Sequence, residues 1–175
     1  MGAIGKPERA SQDRVIQLFQ DELGYAYLGD WEKEVRTQPI EEGLLIEYLT
    51  KDNKYSSKLA KKAVDAFLKA ATNLSDDLYE TNKTVYKLLR YGVTVREELS
   101  QPNETVWLID WKNPSNNSFA VAEEVTVAGK HTKRPDVVLF INGIAIGIIE
   151  LKRSKVGIEE GIRQNLDNQK PEFIE

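Results

Sequence analysis

Apolar residues return at helical spacing from the start of the chain. Val15, Leu18, Phe19 and Leu23 share one side of a helix predicted over residues 8–23, with Pro7 in its first turn and Gly24 as a left-handed stop. Tyr25-Ala-Tyr-Leu reads as a short strand closed by Gly29-Asp30. A helix follows near residues 41–50. Another covers 57–71, where Ala60, Ala63, Val64, Phe67, Leu68 and Ala71 form one apolar stripe. Its lysines, Lys58, Lys61, Lys62 and Lys69, lie largely off that stripe and read as a solvated face rather than a DNA contact. Residues 84–91 add a helical turn or two, stopped by Gly92.

Beyond Gly92 the period shortens to that of strands. Residues 93–96, 105–111, 119–127, 136–141 and 144–152 are β-branched, aromatic or alternating, and Asn113-Pro-Ser-Asn-Asn marks a turn between two of them. A helix is predicted over 158–168. Helices, then strands, then a helix is the order of an α+β fold, here with a mixed sheet of about five strands flanked by helices. The chain reads as a single domain over 1–175, with a helical part over 1–92 and a sheet core over 93–175. Phe173 and Ile174 stand almost at the end with no polar tail after Glu175, which reads as a piece of a larger protein.

Composition narrows the chemistry. At 175 residues, 41% hydrophobic and 30% charged, the chain can bury a core. It has no cysteine, which excludes disulfides, thiolate zinc sites and cysteine nucleophiles. A single histidine, His131, leaves no imidazole cage, and a histidine in a loop reads as a surface residue. No apolar run approaches the roughly 18–20 residues of a membrane span. The start has no secretory apolar core, so a cytoplasmic, membrane-free protein is expected. A net charge of −4 argues against coating nucleic acid by bulk attraction. Yet between residues 128 and 155 six basic side chains face only Asp136 and Glu150, a local +4 that leaves −8 elsewhere. That stretch is either a solvated charged loop or an anion-facing patch.

The centre of interest is the apolar hairpin Arg134-Pro-Asp-Val-Val-Leu-Phe-Ile-Asn-Gly-Ile-Ala-Ile-Gly-Ile-Ile-Glu-Leu-Lys-Arg. Asn142-Gly143 is the strongest short hairpin signal. It folds Asp136 back toward Glu150 and Lys152, which share a face because they are two residues apart. Two carboxylates, with the carbonyl of Leu151 between, are oxygen ligands of the kind a partly hydrated Mg²⁺ takes. Lys152 would orient a water or offset phosphate charge. A plain two-residue turn pairs Asp136 with Ile149 and so puts Asp136 and Glu150 on opposite faces. The site therefore needs an odd loop, a bulge, or an Asp136 lying outside regular pairing after Pro135. The bland alternative is an ordinary hairpin with charges at its wet ends.

Pro135-Asp136 followed by Glu150-x-Lys152 resembles the PD-(D/E)XK nucleases. More closely, 134–144 and Ile149-Glu-Leu-Lys, with Gly161-Ile-Arg-Gln-Asn-Leu-Asp-Asn-Gln, Leu23-Gly-Tyr and Leu89-Arg-Tyr-Gly, are similar to the N-terminal nuclease domain of the motor (R) subunit of type I restriction-modification enzymes. The resemblance implies a restriction-endonuclease-like core in which Asp136, Glu150 and Lys152 cut double-stranded DNA with Mg²⁺. It also implies partnership with modification and specificity subunits, and ATP-driven translocation. ATP would bind outside this chain, which contains no Gly-x-x-x-x-Gly-Lys-[Ser/Thr]. The family's Gln-x-x-x-Tyr, associated with DNA positioning, corresponds to Gln164 and Asn168; the asparagine departs from the pattern, and a solvated polar helix face is the competing reading. A docking module on a nuclease-like scaffold, binding the modification complex or DNA without cutting, is the alternative function, as is a repair or transposition nuclease. Glu123 and Glu124 are candidates for one extra carboxylate, since alternation admits only one of them inward. Trp107 and Trp111 read as core or sheet-face aromatics rather than base platforms. Gln12 and Asp13 on the first helix are candidates to approach the site, though nothing in their spacing shows it.

Overall fold

A computed structural model describes residues 6–51, 54–73, 77–128, 132–151, 162, 163 and 166. The chain falls into two compact units. One comprises Met1–Thr37, Phe119–Phe140 and Ala145–Glu175, the other Gln38–Ser118 and Ile141–Ile144.

In the second unit the predicted stripe does what its spacing demands. Helix α3, Ser57–Ala71, buries Leu59, Ala60, Ala63, Val64 and Phe67. Its start is held by Ser56, whose Oγ accepts from the Leu59 N–H at 3.1 Å. The stripe joins one core with Leu45, Tyr48 and Leu49 of α2 (Glu42–Thr50) and with Val93, Val106 and Leu108. The α3 lysines stay outside that core; Lys58 pairs with Glu98, and Lys62 donates to the carbonyls of Arg96 and Glu97. Helix α4 runs Leu78–Tyr91, starting six residues before the predicted turns because Asp77 caps the Glu80 N–H at 2.8 Å. Gly92 ends it at φ +80°, where a Cβ would lie 2.9 Å from the Val106 carbonyl oxygen.

Strands β2 (Val93–Val95) and β3 (Glu104–Val106) pair antiparallel. β3 is shorter than the predicted 105–111. The Asp110 carboxylate gathers the N–H groups of Lys112 and Asn113 and the Asn116 amide into a turn, and a 3₁₀ turn, Pro114–Asn116, follows. Trp107 and Trp111 therefore lie beyond the strand and are 43% and 46% exposed, not the core or sheet-face residues expected.

The other unit is built on the main sheet, ordered β1-β4-β5-β6. These strands are Ala26–Asp30, Phe119–Glu123, Val137–Ile141 and Ile144–Ile149. β1 runs parallel to β4, with a register shift between Tyr27 and Gly29, so Gly29-Asp30 continue the strand instead of closing it. Flanking bonds, Asn142 N–H to Ser118 O and Glu124 N–H to Asp136 O, set β5 antiparallel to β4. The fold is thus α+β with a mixed sheet of four strands and a separate two-stranded one. Helix α1, Lys6–Gln17, passes into a π-helical turn, Leu18–Glu22, before Gly24 at φ +70°. Ile16 joins Val121 and Val137 in one small core, while Trp31, Ala122, Val138 and Phe140 form another. Of the predicted helix 158–168, Ile162, Arg163 and Leu166 are helical and its other positions lie outside the described residues. No helix among the described residues is long and apolar enough to cross a membrane.

Candidate active site

Asn142 and Gly143 adopt φ +52° and +82°, the two left-handed residues of a type I′ hairpin turn. This is the plain two-residue loop, so its regular register alone would separate Asp136 from Glu150. That register does not extend to the hairpin's open end. β5 begins at Val137, one residue after Asp136, and β6 ends at Ile149, one residue before Glu150. Both acids leave the pleat, and the alternation that would oppose them ends before it reaches them. Of the irregularities expected, the one observed is Asp136 lying outside regular pairing.

The half-buried Asp136 carboxylate turns to the Glu150-Leu151 segment. Its Oδ2 accepts a hydrogen bond from the Leu151 N–H at 2.5 Å. Its backbone carbonyl accepts from the Glu124 N–H at 2.9 Å and from the Gln12 side-chain amide at 3.3 Å. Asp136 is therefore braced on both its side chain and its main chain. Glu150, also half-buried, directly precedes the N–H that holds it. Lys152, Gln164, Asn168 and His131 lie outside the described residues.

Behind Asp136 is a buried polar network. Glu123 and Glu124 are each only 3% exposed, correcting the expectation that one of them must face outward. The reason is backbone geometry. Glu124 has φ +52°, and the consecutive N–H groups of Glu124 and Val125 donate to the consecutive carbonyls of Asp136 and Pro135. A pleat would use alternate N–H groups, so this bulge-like irregularity breaks the alternation at that residue. Gln12, 1% exposed on α1, joins the two carboxylates through its amide nitrogen, at 2.9 Å to Glu123 and 3.0 Å to Glu124. Arg9 forks onto Glu123 with both contacts at 3.1 Å, and the Tyr27 hydroxyl donates to the same carboxylate at 2.5 Å. Arg134 bridges Glu124 at 3.0 Å and Glu32 at 2.6 Å. Asp13, one residue on from Gln12, is exposed and pairs with Arg9.

Burial shifts these groups. Loss of solvent pushes the Glu124 carboxyl upward, against the Gln12 bond and the Arg134 charge that pull it down. Burial and the bond to Glu123 push the Tyr27 phenol well above its ordinary range, so it stays a donor. Of the two first-helix candidates, Gln12 is the one that joins the network; it lies four residues before the buried Ile16, on the inward face of α1, which shows that it is buried but not what it touches.

Among the described residues, no group of three or more His, Cys, Asp or Glu side chains is gathered to hold a metal. The donor set offered by Asp136, Glu150 and the Leu151 carbonyl is nonetheless all oxygen. It suits a hard cation that keeps several of its own waters, and the chain has no thiolate to select a softer one.

Comparison with known proteins adds an independent line. The family described as type I restriction enzyme R protein N terminus matches residues 6–175. The type I restriction enzyme HindI endonuclease subunit of Haemophilus influenzae is 39% identical over 105 residues, covering 57% of this chain and 10% of that protein. The MjaVIIIP endonuclease subunit of Methanocaldococcus jannaschii is 29% identical over 159 residues, covering 85% of this chain and 15% of that protein. The EcoprrI endonuclease subunit of Escherichia coli is 36% identical over 61 residues, or 35% of this chain and 20% of that protein. The chain thus spans about a tenth to a fifth of the curated relatives it matches. With the family match running from the first turn of α1 to the last residue, the chain belongs to the type I restriction enzyme R protein N-terminal family.

Proposed function

We propose that this chain is the nuclease module of a type I restriction enzyme endonuclease subunit, hydrolysing phosphodiester bonds of double-stranded DNA with Mg²⁺. One observation carries the reading: the Asp136 carboxylate accepts from the Leu151 N–H at 2.5 Å, which brings it to the backbone of the Glu150-Leu151-Lys152 segment. An ordinary hairpin with wet, charged ends accounts for the charges but gives no reason for the buried Gln12–Glu123–Glu124 network behind Asp136.

Asp136 and Glu150 would hold Mg²⁺, with the Leu151 carbonyl as a further oxygen ligand. When bound, the ion would polarise the phosphate and acidify a water, the terms that make hydrolysis possible at neutral pH. The chain's own residues do the rest. The Leu151 N–H fixes one carboxylate oxygen of Asp136, and the Gln12 and Glu124 donors fix its carbonyl, so the acid is preorganised before substrate arrives. Lys152 supplies a positive charge for the phosphate or for the attacking water. Gln164 and Asn168 would position DNA. ATP hydrolysis, sequence recognition and methylation belong to other parts of the assembly, the modification and specificity subunits among them.

The test is plasmid cleavage by the complete enzyme, comparing wild type with Asp136→Ala and Lys152→Ala. Both variants should translocate and hydrolyse ATP while leaving DNA uncut. Cleavage by either at the wild-type rate overturns the assignment in favour of a docking role.

A further inference from the structure

The unit that does not contain Asp136 carries an exposed stripe which the cleavage reading leaves unused. On α4, Tyr79, Lys83, Tyr86 and Arg90 recur at i, i+4, i+7 and i+11, a single line along the helix. That line is roughly 16 Å long at the rise of an α-helix. It points away from the core, which α4 meets through Val85, Leu88 and Leu89. Tyr79 is 71% exposed and Tyr86 63%. Trp111 extends the line: its indole N–H donates to the Leu89 carbonyl at 2.8 Å, pinning the ring at the end of the helix. Cations alternate with the rings, Lys83 at 5.5 Å from the Tyr79 centroid and Arg90 at 5.4 Å from that of Trp111. With Lys87 exposed beside them, three cations on α4 stand against that helix's one acid, Glu80, which pairs with Lys83 at 3.0 Å, while Asp77 caps the helix start and Asp110 precedes Trp111.

We propose that this stripe binds single-stranded nucleic acid without sequence preference. Bases stack on Tyr79, Tyr86 and Trp111, and phosphates pair with Lys83, Lys87 and Arg90. The alternation selects the occupant. A duplex keeps its bases stacked inside and has no use for exposed rings, whereas a single strand presents both faces and charge. A protein partner would explain the rings and Arg90, yet lysines are depleted from the centres of protein interfaces. The proposal needs neither a metal nor Asp136, and so stands apart from the cleavage reading.

The experiment titrates the chain, in EDTA, into a labelled oligothymidylate of about 15 nucleotides. Anisotropy reports binding and tryptophan emission reports stacking. Saturable binding with quenching is expected, weakened about tenfold by Tyr86→Ala. Arg90→Ala should lower the slope of log K against log salt by about 0.7. Trp111→Phe should remove the quenching while binding persists. Far-ultraviolet circular dichroism, unchanged in these surface variants, excludes unfolding. No saturable binding at low salt overturns the proposal. So does a duplex bound as tightly as the single strand without quenching, and so does poly-glutamate bound as tightly as the oligonucleotide, which would mark an acidic protein partner.

Discussion

Asp110, half-buried, holds its chain segment in shape. The N–H of Asn113, the side chain of Asn116 and the N–H of Lys112 donate to its carboxylate and keep its carboxyl below the ordinary value of 3.8. A lowered value in the folded chain means that folding favours the ionised form. The contribution is complete above 3.8 and is lost as pH falls through the lower, folded value. Asp110→Asn should therefore lower the urea midpoint at neutral pH, and the gap from wild type should close in strong acid. An equal gap at both pH values would remove the charge from the explanation. At this scale the sequence was only partly legible. Asp136 was visible because Pro135 and a long apolar run surround it. Gln12 was named but could not be placed, because one polar residue on an apolar helix face looks like tolerance until its three acceptors are seen. The burial of both Glu123 and Glu124 was hidden for a different reason: a left-handed glutamate has no signature in the sequence.

Elements were legible where local chemistry alone decides them. Asn142-Gly143 announced the hairpin, and both residues are needed there for more than their turn angles. Asn142 is fully buried; its Oδ1 accepts from the Ser118 N–H, and its amide donates to the Leu108 carbonyl and to Asn117. A Cβ on Gly143 would lie 2.7 Å from the Glu41 carbonyl oxygen and 2.8 Å from Leu44 Cβ, at φ +82°. Gly143→Ala should thus cost about 3 kcal/mol, from the left-handed penalty and the overpacking together. Chemical denaturation measures it, and a loss below about 0.5 kcal/mol, the range of ordinary surface substitutions, would contradict the argument. The first half of α4 escaped notice because Tyr79-Glu-Thr-Asn-Lys shows no apolar period, the signal by which the rest was found. Strands 105–111 and 119–127 were read too long because apolar composition does not reveal where side chains such as Asp110 bend the chain, or where Glu124 breaks the pleat.

At the scale of the whole molecule, pairing between distant segments decides the outcome, and periodicity carries no information about it. The α+β class followed from element order, but the parallel partnership of β1 with β4 did not, since those strands are separated by three helices and the small sheet. That partnership matters to the candidate site: it aligns Asp30 with Glu123, and Tyr27 reaches the Glu123 carboxylate that Gln12 also holds. Asp136 is thus positioned by three stretches far apart in the chain: Gln12 on α1, Glu124 after β4, and Leu151 after β6. A carboxylate braced in this way should bind a hydrated cation with little reorganisation, and that can be measured without DNA. Calorimetric titration of the chain with Mn²⁺ or Mg²⁺ should show binding that Asp136→Ala and Glu150→Ala abolish. Gln12→Leu should weaken it severalfold, because the Asp136 carboxylate and its Leu151 bond remain while the amide bracing its carbonyl is lost. Glu98→Gln, which removes only the exposed pairing with Lys58 in the other unit, should leave the titration unchanged. Wild-type affinity in Asp136→Ala would show that the ion, if bound, is held elsewhere, whatever the full enzyme does to DNA.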